Sequence, residues 1–225
     1  RNNVSCYWSK ERCYLTLKNK TEEKNRNFWD LVKNINLEKY GPLIALIVLF
    51  IISSFASPYF LKIRNLTNIL RQVSYTGIIA LGMTFVIISA GIDLSVGSMT
   101  ALVGGFVIMT LNYFGGGYFA IFMAIIVGIL LGMAFGAVNG VIITRWNVAP
   151  FIVTLGTMSI FRSLTLYISD ASEFRSTSSI FPELGMGYFF HLPIPVWVFI
   201  ILTVLYSVLL NHTKYGRYIC AVGSN

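Results

Sequence analysis

Charge is what this sequence lacks most. Asp, Glu, Lys and Arg make up 12% of its 225 residues, where about 25% is usual, and hydrophobic residues make up 56%. A globule with a solvated surface cannot be built from that composition, and the mean hydropathy of +0.71 points the same way. The charge present crowds one end: 14 of the 26 charged residues fall in positions 1–40 and 12 in the remaining 185.

Cysteine is scarce too. Cys6, Cys13 and Cys220 have no CxxC spacing and no histidine nearby, which excludes a disulfide framework and a zinc site and reads as three reduced, incidental thiols. His191 and His212 lack partners at ligand spacing and read as solvated. The chain contains no GxxxxGK[ST] phosphate loop, no HExxH, no GxSxG and no GxGxxG after a strand. The expectation is a chain with no catalytic residue, no metal ligand and no bound cofactor, whose energy source lies elsewhere.

What the sequence has in abundance is long apolar runs. Charge-free stretches cover 41–61, 72–92, 94–144, 146–161 and 184–213. All but the fourth reach the roughly 20 residues that a helix needs to cross a bilayer at about 1.5 Å per residue. The 51-residue stretch at 94–144 holds two spans, with Gly115, Gly116 and Gly117 as the turn between them. Span one runs from Gly41 to about Phe55 or Phe60, ended by Ser57-Pro58, because proline lacks the amide donor and restricts its predecessor. The others are read at 72–90, 95–113, 118–143, 150–168 and 193–210, with a polar, Ser-rich connection at 169–192. The fold class is therefore all-α, a polytopic transmembrane bundle of about six helices.

The net charge of +8 would suggest nucleic acid in a soluble protein, but here the basic residues gather at the ends of apolar runs and set topology instead. With the amino terminus inside, the nine basic residues of positions 1–40, Arg145, Lys214 and Arg217 lie in the cytoplasm, against Lys62, Arg64, Arg71 and Arg175 outside. Three regions follow: a basic cytoplasmic tail at 1–40, a transmembrane helical region at 41–210, and a polar turn at 211–225 on the cytoplasmic side. The sequence starts at Arg1 and stops in that turn at Asn225, and so reads as a fragment of something longer.

Two patterns within the spans bear on function. Ala120, Ala124, Gly128, Gly132, Gly136 and Gly140 form a four-residue ladder of small side chains along span four, the pattern of close helix packing in lipid, with a lining of a permeation path as the other reading. The segment GIDLSVGS at 91–98 sets a carboxylate between two apolar spans. An aspartate at a helix centre costs about 2.5–3.5 kcal/mol, so Asp93 needs a partner, a cap or water. Asp93 or Ser95 can cap the first amides of span three, with the glycines permitting a break. Alternatively, the break borders a translocation pathway, with Gly91, Asp93, Ser95 and Gly97 as candidate residues. Arg162, late in span five, is expected to snorkel or to pair with Asp170 or Glu173.

The stretch SYTGIIALGMTFVIISAGIDLSVGSMTALVG at 74–104 closely resembles the permease family of bacterial ABC importers for ribose, xylose and galactose. GMAFGAVNGVIITRWNVAPFIVTLGTMSIFRSLTLYIS at 132–169 and TKYGRYICAVGSN at 213–225 resemble later segments of the same family, in the same order. The chain departs from the family pattern at Ser163 and in SDASEF at 169–174. The resemblance implies the transmembrane permease subunit of an ATP-driven importer of a monosaccharide, multi-pass in the bacterial inner membrane. A same-architecture permease for a nucleoside or hydroxylated signalling molecule is the alternative. It implies a longer full permease and four kinds of partner: an ATP-binding subunit carrying ATP and Mg, a periplasmic or lipid-anchored sugar receptor, a second permease copy, identical or not, and membrane lipid. Residues 211–225 would begin the ATPase-coupling loop, with Tyr215, Gly216 and Arg217 as contacts, and 169–192 would face the receptor.

Overall fold

The computed structural model describes residues 37–224; the preceding basic segment, with Cys6 and Cys13, and Asn225 lie outside the described residues. By internal contacts the chain divides after Lys62 into two units. The first unit holds helix α1, Leu37–Ala56, which stops just before Ser57-Pro58 as expected. From Tyr40 onward its side chains are mostly exposed, as suits a helix whose apolar surface is solvated by lipid.

The second unit is built from α2 (Ile63–Ile88), α3 (Val96–Tyr113), α4 (Tyr118–Trp146), α5 (Pro150–Ile168), α6 (Phe181–Met186), a two-stranded hairpin of β1 (Tyr188–Phe189) and β2 (Leu192–Pro193), α7 (Ile194–His212) and α8 (Lys214–Gly223). The strands pair antiparallel, Tyr188 with Pro193 and Phe189 with Leu192. Helices α3, α4 and α5 pack on one another, while α2, α7 and α8 form a second group to which α6 and the hairpin attach.

Among the described residues five helices, α2, α3, α4, α5 and α7, are long and apolar enough to cross a membrane, and the described apolar part of α1 is 17 residues, Tyr40–Ala56. Several boundaries differ from the sequence reading. Helix α2 begins at Ile63 rather than at 72: Arg64 is exposed, and Arg71 does not stop the helix because its guanidinium reaches the Asn68 side chain and the Met186 carbonyl. Helix α4 continues to Trp146, with Arg145 in its last turn, where a cation complements the helix dipole, and ends at Asn147 in the left-handed conformation. The polar turn expected at 211–225 is largely the helix α8.

Three helices end in one device. In α2 the Gly91 amide donates to the Val86 carbonyl (2.9 Å) and that of Ala90 to Ile87 (3.0 Å), with Ala90 at φ +59°. The same pattern closes α3, from Gly116 to Leu111 and from Gly115 to Asn112, and α5, from Ala171 to Leu166 and from Asp170 to Tyr167. This is the Schellman ending, in which a left-handed residue lets two amides return to the last turn. Glycine fills the left-handed position after α3, but Ala90 and Asp170 take it after α2 and α5.

The core is thin. Leu111, Ala120, Ile121 and Ala124 are packed by Val107, Ile180 and Phe181, and Leu102, Val153, Phe161 and Val196 complete the buried apolar set. The small-residue ladder enters this core at Ala120 and Ala124, and at Gly128 an added Cβ would come within 2.9 Å of Val107. At Gly132, Gly136 and Gly140 it would meet nothing within 4 Å, so the second half of the ladder faces away from the described part of the chain.

Candidate functional site

Three of the buried polar side chains, Ser95, Asn139 and Thr154, collect at the end where α2 gives way to α3. The connection, residues 89–95, leaves the Schellman turn at Ala90 and Gly91 and re-enters helix at Val96. Asp93, half-buried, accepts hydrogen bonds on Oδ1 from the Ser95 amide (2.8 Å) and the Ser95 hydroxyl (2.7 Å). Ser95 is fully buried, and its Oγ accepts from Asn139 Nδ2 (3.0 Å), 44 residues away on α4. Thr154, at the start of the second turn of α5, lies within hydrogen-bond reach of the Pro150 carbonyl (2.8 Å) and of the Ile92 carbonyl in the connection (3.2 Å). Helices α4 and α5 thus each supply one buried polar side chain, Asn139 and Thr154, that ties down the connection.

Neither Asp93 nor Ser95 caps the first free amides of α3. Ser95 stands at the N-cap of α3, yet its side chain makes no capping bond and turns instead to donate to Asp93. Asp93 takes the Ser95 amide in a local side-chain turn, a bond that orders the connection rather than caps the first free amides of the helix. The carboxylate's cost is offset by two charge-assisted bonds. Position along the bundle also helps. Asn139 lies seven residues, about 10 Å, before the end of α4, so Ser95 sits one to two turns inside that end rather than at mid-bundle.

Gly91 and Gly97 play different parts. A Cβ at Gly91 would stand 3.2 Å from the Val86 carbonyl oxygen and carbon Cγ1, whereas at Gly97 it would meet nothing within 4 Å. Asn139 is only 4% exposed, and its Oδ1 has no hydrogen-bond partner. A buried amide oxygen of this kind can accept from a water or a ligand hydroxyl. Sequence reading missed Asn139 and Thr154. Their only signal was a polar residue inside an apolar helix, which does not reveal a partner on another helix.

Helix α8 lies at the same end. Thr213 opens it, its hydroxyl accepting from the Gly216 amide (3.3 Å). Gly216 is buried in the corner with α7, where a Cβ would come within 1.9 Å of the Leu210 carbonyl oxygen. Tyr215 lines a small cavity of about 240 Å³ with Gly82, Phe85, Tyr206 and Leu209, and Arg217 is exposed. Of the three residues singled out on this helix, Gly216 therefore shapes the corner, while Tyr215 and Arg217 keep exposed side chains.

The opposite end is closed by the connection after α5. Asn112 donates to the Arg175 carbonyl (2.8 Å) and accepts from the Thr177 amide (2.9 Å), and the Ser178 hydroxyl donates to the Gly116 carbonyl. Helix α6 is held to α2 by Arg71, which donates to the Met186 carbonyl (3.0 Å), and by Tyr75, which donates to that of Gly185 (3.0 Å). These residues line a cavity of about 530 Å³ with Phe181, Leu184, Pro195 and Val198. Nearby, the neighbouring Thr67 hydroxyl and then Arg71, whose guanidinium lies 5.4 Å from the ring centre, hold the Tyr188 phenol below its ordinary range. Glu173 pairs with Arg175 (3.6 Å); of the outcomes expected for Arg162, which is exposed, pairing with Glu173 is not seen. Among the described residues no three of His, Cys, Asp and Glu come together as a metal site.

Comparison with known proteins bears on this geometry. The family described as "Branched-chain amino acid transport system / permease component" matches residues 65–225. The ribose import permease of Bacillus subtilis is 39% identical over 211 residues, covering 91% of this chain and 62% of that protein. The ribose import permease of Haemophilus influenzae is 40% identical over 186 residues, 81% of this chain and 56% of that protein. The D-allose transport system permease of Escherichia coli is 38% identical over 199 residues, 88% of this chain and 58% of that protein. The chain thus spans 56–62% of the length of these relatives. No solved structure matches it. The resemblance read from the GIDLSVGS segment is borne out, and the chain belongs to this family of multi-helix transport permeases.

Proposed function

We propose that this chain is part of the transmembrane permease subunit of an ATP-driven importer that moves a monosaccharide across the bacterial inner membrane. The observation that carries this reading is its 38–40% identity, over 81–91% of its own length, to permeases named for ribose and allose. The sugars in those names favour a monosaccharide over the nucleoside or signalling-molecule alternative.

In this reading the amino terminus and the end of the bundle carrying residues 89–95 and α8 face the cytoplasm, and the end carrying α6 and the hairpin faces the periplasm. The chain binds no cofactor; ATP and Mg are held by a partner ATP-binding subunit that docks at 213–225 through Tyr215 and Arg217. A sugar-binding receptor docks at 169–192, and a second permease copy completes the pathway. The free side of the ladder at Gly132, Gly136 and Gly140 is available for close packing by a helix from that copy or from the rest of the permease.

Transport here needs no covalent step. Gly91, Asp93, Ser95 and Gly97 border the pathway, where backbone groups, the carboxylate and the unpartnered Asn139 oxygen can exchange hydrogen bonds with a polyhydroxylated cargo. The experiment is reconstitution of the full-length permease with its ATPase in proteoliposomes. Sugar-loaded receptor is expected to stimulate ATP hydrolysis, and ribose, allose or xylose receptor complexes that all fail to do so would contradict the reading.

A further inference from the structure

The last residue of α8 touches the end of α2. A Cβ built on Gly223 would lie 1.7 Å from the Ile88 carbonyl oxygen, 2.8 Å from its carbon and 3.2 Å from the Ser89 Cα. These are backbone atoms, which cannot swing aside as a long side chain can, so only glycine lets α8 come this close. The site of contact is specific. The Schellman ending of α2 returns amides to the carbonyls of Val86 and Ile87, and the carbonyl of Ile88 is the next along. Gly223 packs directly against it, in the space that a side chain would otherwise fill.

One residue past Ser89 begins the left-handed turn at Ala90. From there the chain runs through Ile92, within reach of Thr154 on α5, to Asp93 and Ser95, held by Asn139 on α4. The connection at 89–95 therefore links the group of α2, α7 and α8 to the group of α3, α4 and α5. Helix α8 is short and follows α7 directly, held at its start by the Gly216 corner and at its end by Gly223.

We propose that Gly223 is a positioning residue for transport: it seats α8 on the end of α2, so that displacement of α8 is delivered to residues 89–95 and through them to the other helix group. This rests on the reading of α8 as the ATPase-facing helix. Tyr215 and Arg217 would receive the motion, and the Gly223 contact would pass it on.

The test uses the full-length permease, cysteine-free apart from Leu94→Cys, assembled with its ATPase and receptor. Leu94 is exposed within the connection and reports on it through its rate of reaction with a maleimide. The expected rate differs about fivefold or more between ATP-bound and nucleotide-free complexes, a usual size for coupling between sites. Gly223→Ala is expected to bring the two rates within about twofold of each other and to raise the ATP hydrolysed per sugar imported by about fivefold or more. A difference in rate that survives Gly223→Ala overturns the proposal. With Gly223 intact, a rate indifferent to nucleotide overturns it whether or not any Gly223 variant folds. Absence of sugar uptake by the unmodified complex would instead refute the importer reading, so the two failures are distinct.

Discussion

Removing the Ser95 hydroxyl is expected to cost more than removing the Asn139 amide that binds it, although one hydrogen bond joins them. Ser95 is fully buried, and its hydroxyl donates to the Asp93 carboxylate (2.7 Å) while accepting from Asn139 (3.0 Å). Ser95→Ala deletes a charge-assisted bond, worth about 1.5–3 kcal/mol, and strands a buried amide N–H, which costs about 1–3 kcal/mol more. Polar pairs between membrane helices measure at the low end of such ranges, about 0.6 kcal/mol on average, so the expected total is about 2–3 kcal/mol. Asn139→Leu also breaks the Ser95–Asn139 bond, but it removes an amide oxygen that already lacks a partner and leaves the Ser95–Asp93 bond intact. Its expected cost is below about 1 kcal/mol. The double variant no longer strands the amide, so it should be more stable than Ser95→Ala alone by about 1 kcal/mol. The assay is unfolding of the full-length permease in mixed micelles titrated with a denaturing detergent, followed by tryptophan fluorescence. Equal losses for the two single variants, or a double variant whose loss is their sum, would refute the reasoning.

Other outcomes follow from the helix ends. Ala90 holds φ +59° where the Schellman ending favours glycine, so Ala90→Gly should stabilise the protein by about 1 kcal/mol in the same titration. Gly116 combines φ +70° with a Cβ position 3.0 Å from the Ser178 Cα, so Gly116→Ala should destabilise by about 1–3 kcal/mol, and an unchanged midpoint would contradict that. Asp93→Ala should impair membrane level or uptake more than Asp170→Ala, since Asp93 orders the connection while Asp170 is exposed at a helix end; equal expression and uptake would sink the comparison.

The course of the helices was legible because each apolar run is bounded by a charge, a proline or a glycine cluster that also bounds the helix: Pro58 after α1, Gly115 to Gly117 after α3, and Pro150 at the start of α5. The start of α2 was not. A charge marks a boundary only if it stays in solvent, and Arg71 instead spends its guanidinium on the Met186 carbonyl, 115 residues away. At 91–98 the isolated carboxylate and the flanking glycines showed that the backbone departs from helix there. The left-handed residue there is Ala90, because the ending is fixed by which amides can return to Val86 and Ile87, not by glycine alone. Asn139 and Thr154 could not be joined to the connection from sequence, since nothing local says which faces of α4 and α5 turn toward it. The contact of Gly223 with Ile88 was hidden for the same reason, in a segment that read as a turn.

The most direct measurement is uptake of radiolabelled ribose, xylose and galactose by cells expressing the full-length gene with its ATPase and receptor, beside cells whose ATPase is catalytically dead. Uptake of one of these sugars, abolished with the dead ATPase, is the predicted result. No uptake of any of them, with the protein present in the membrane, would contradict the account and move the cargo outside the monosaccharides.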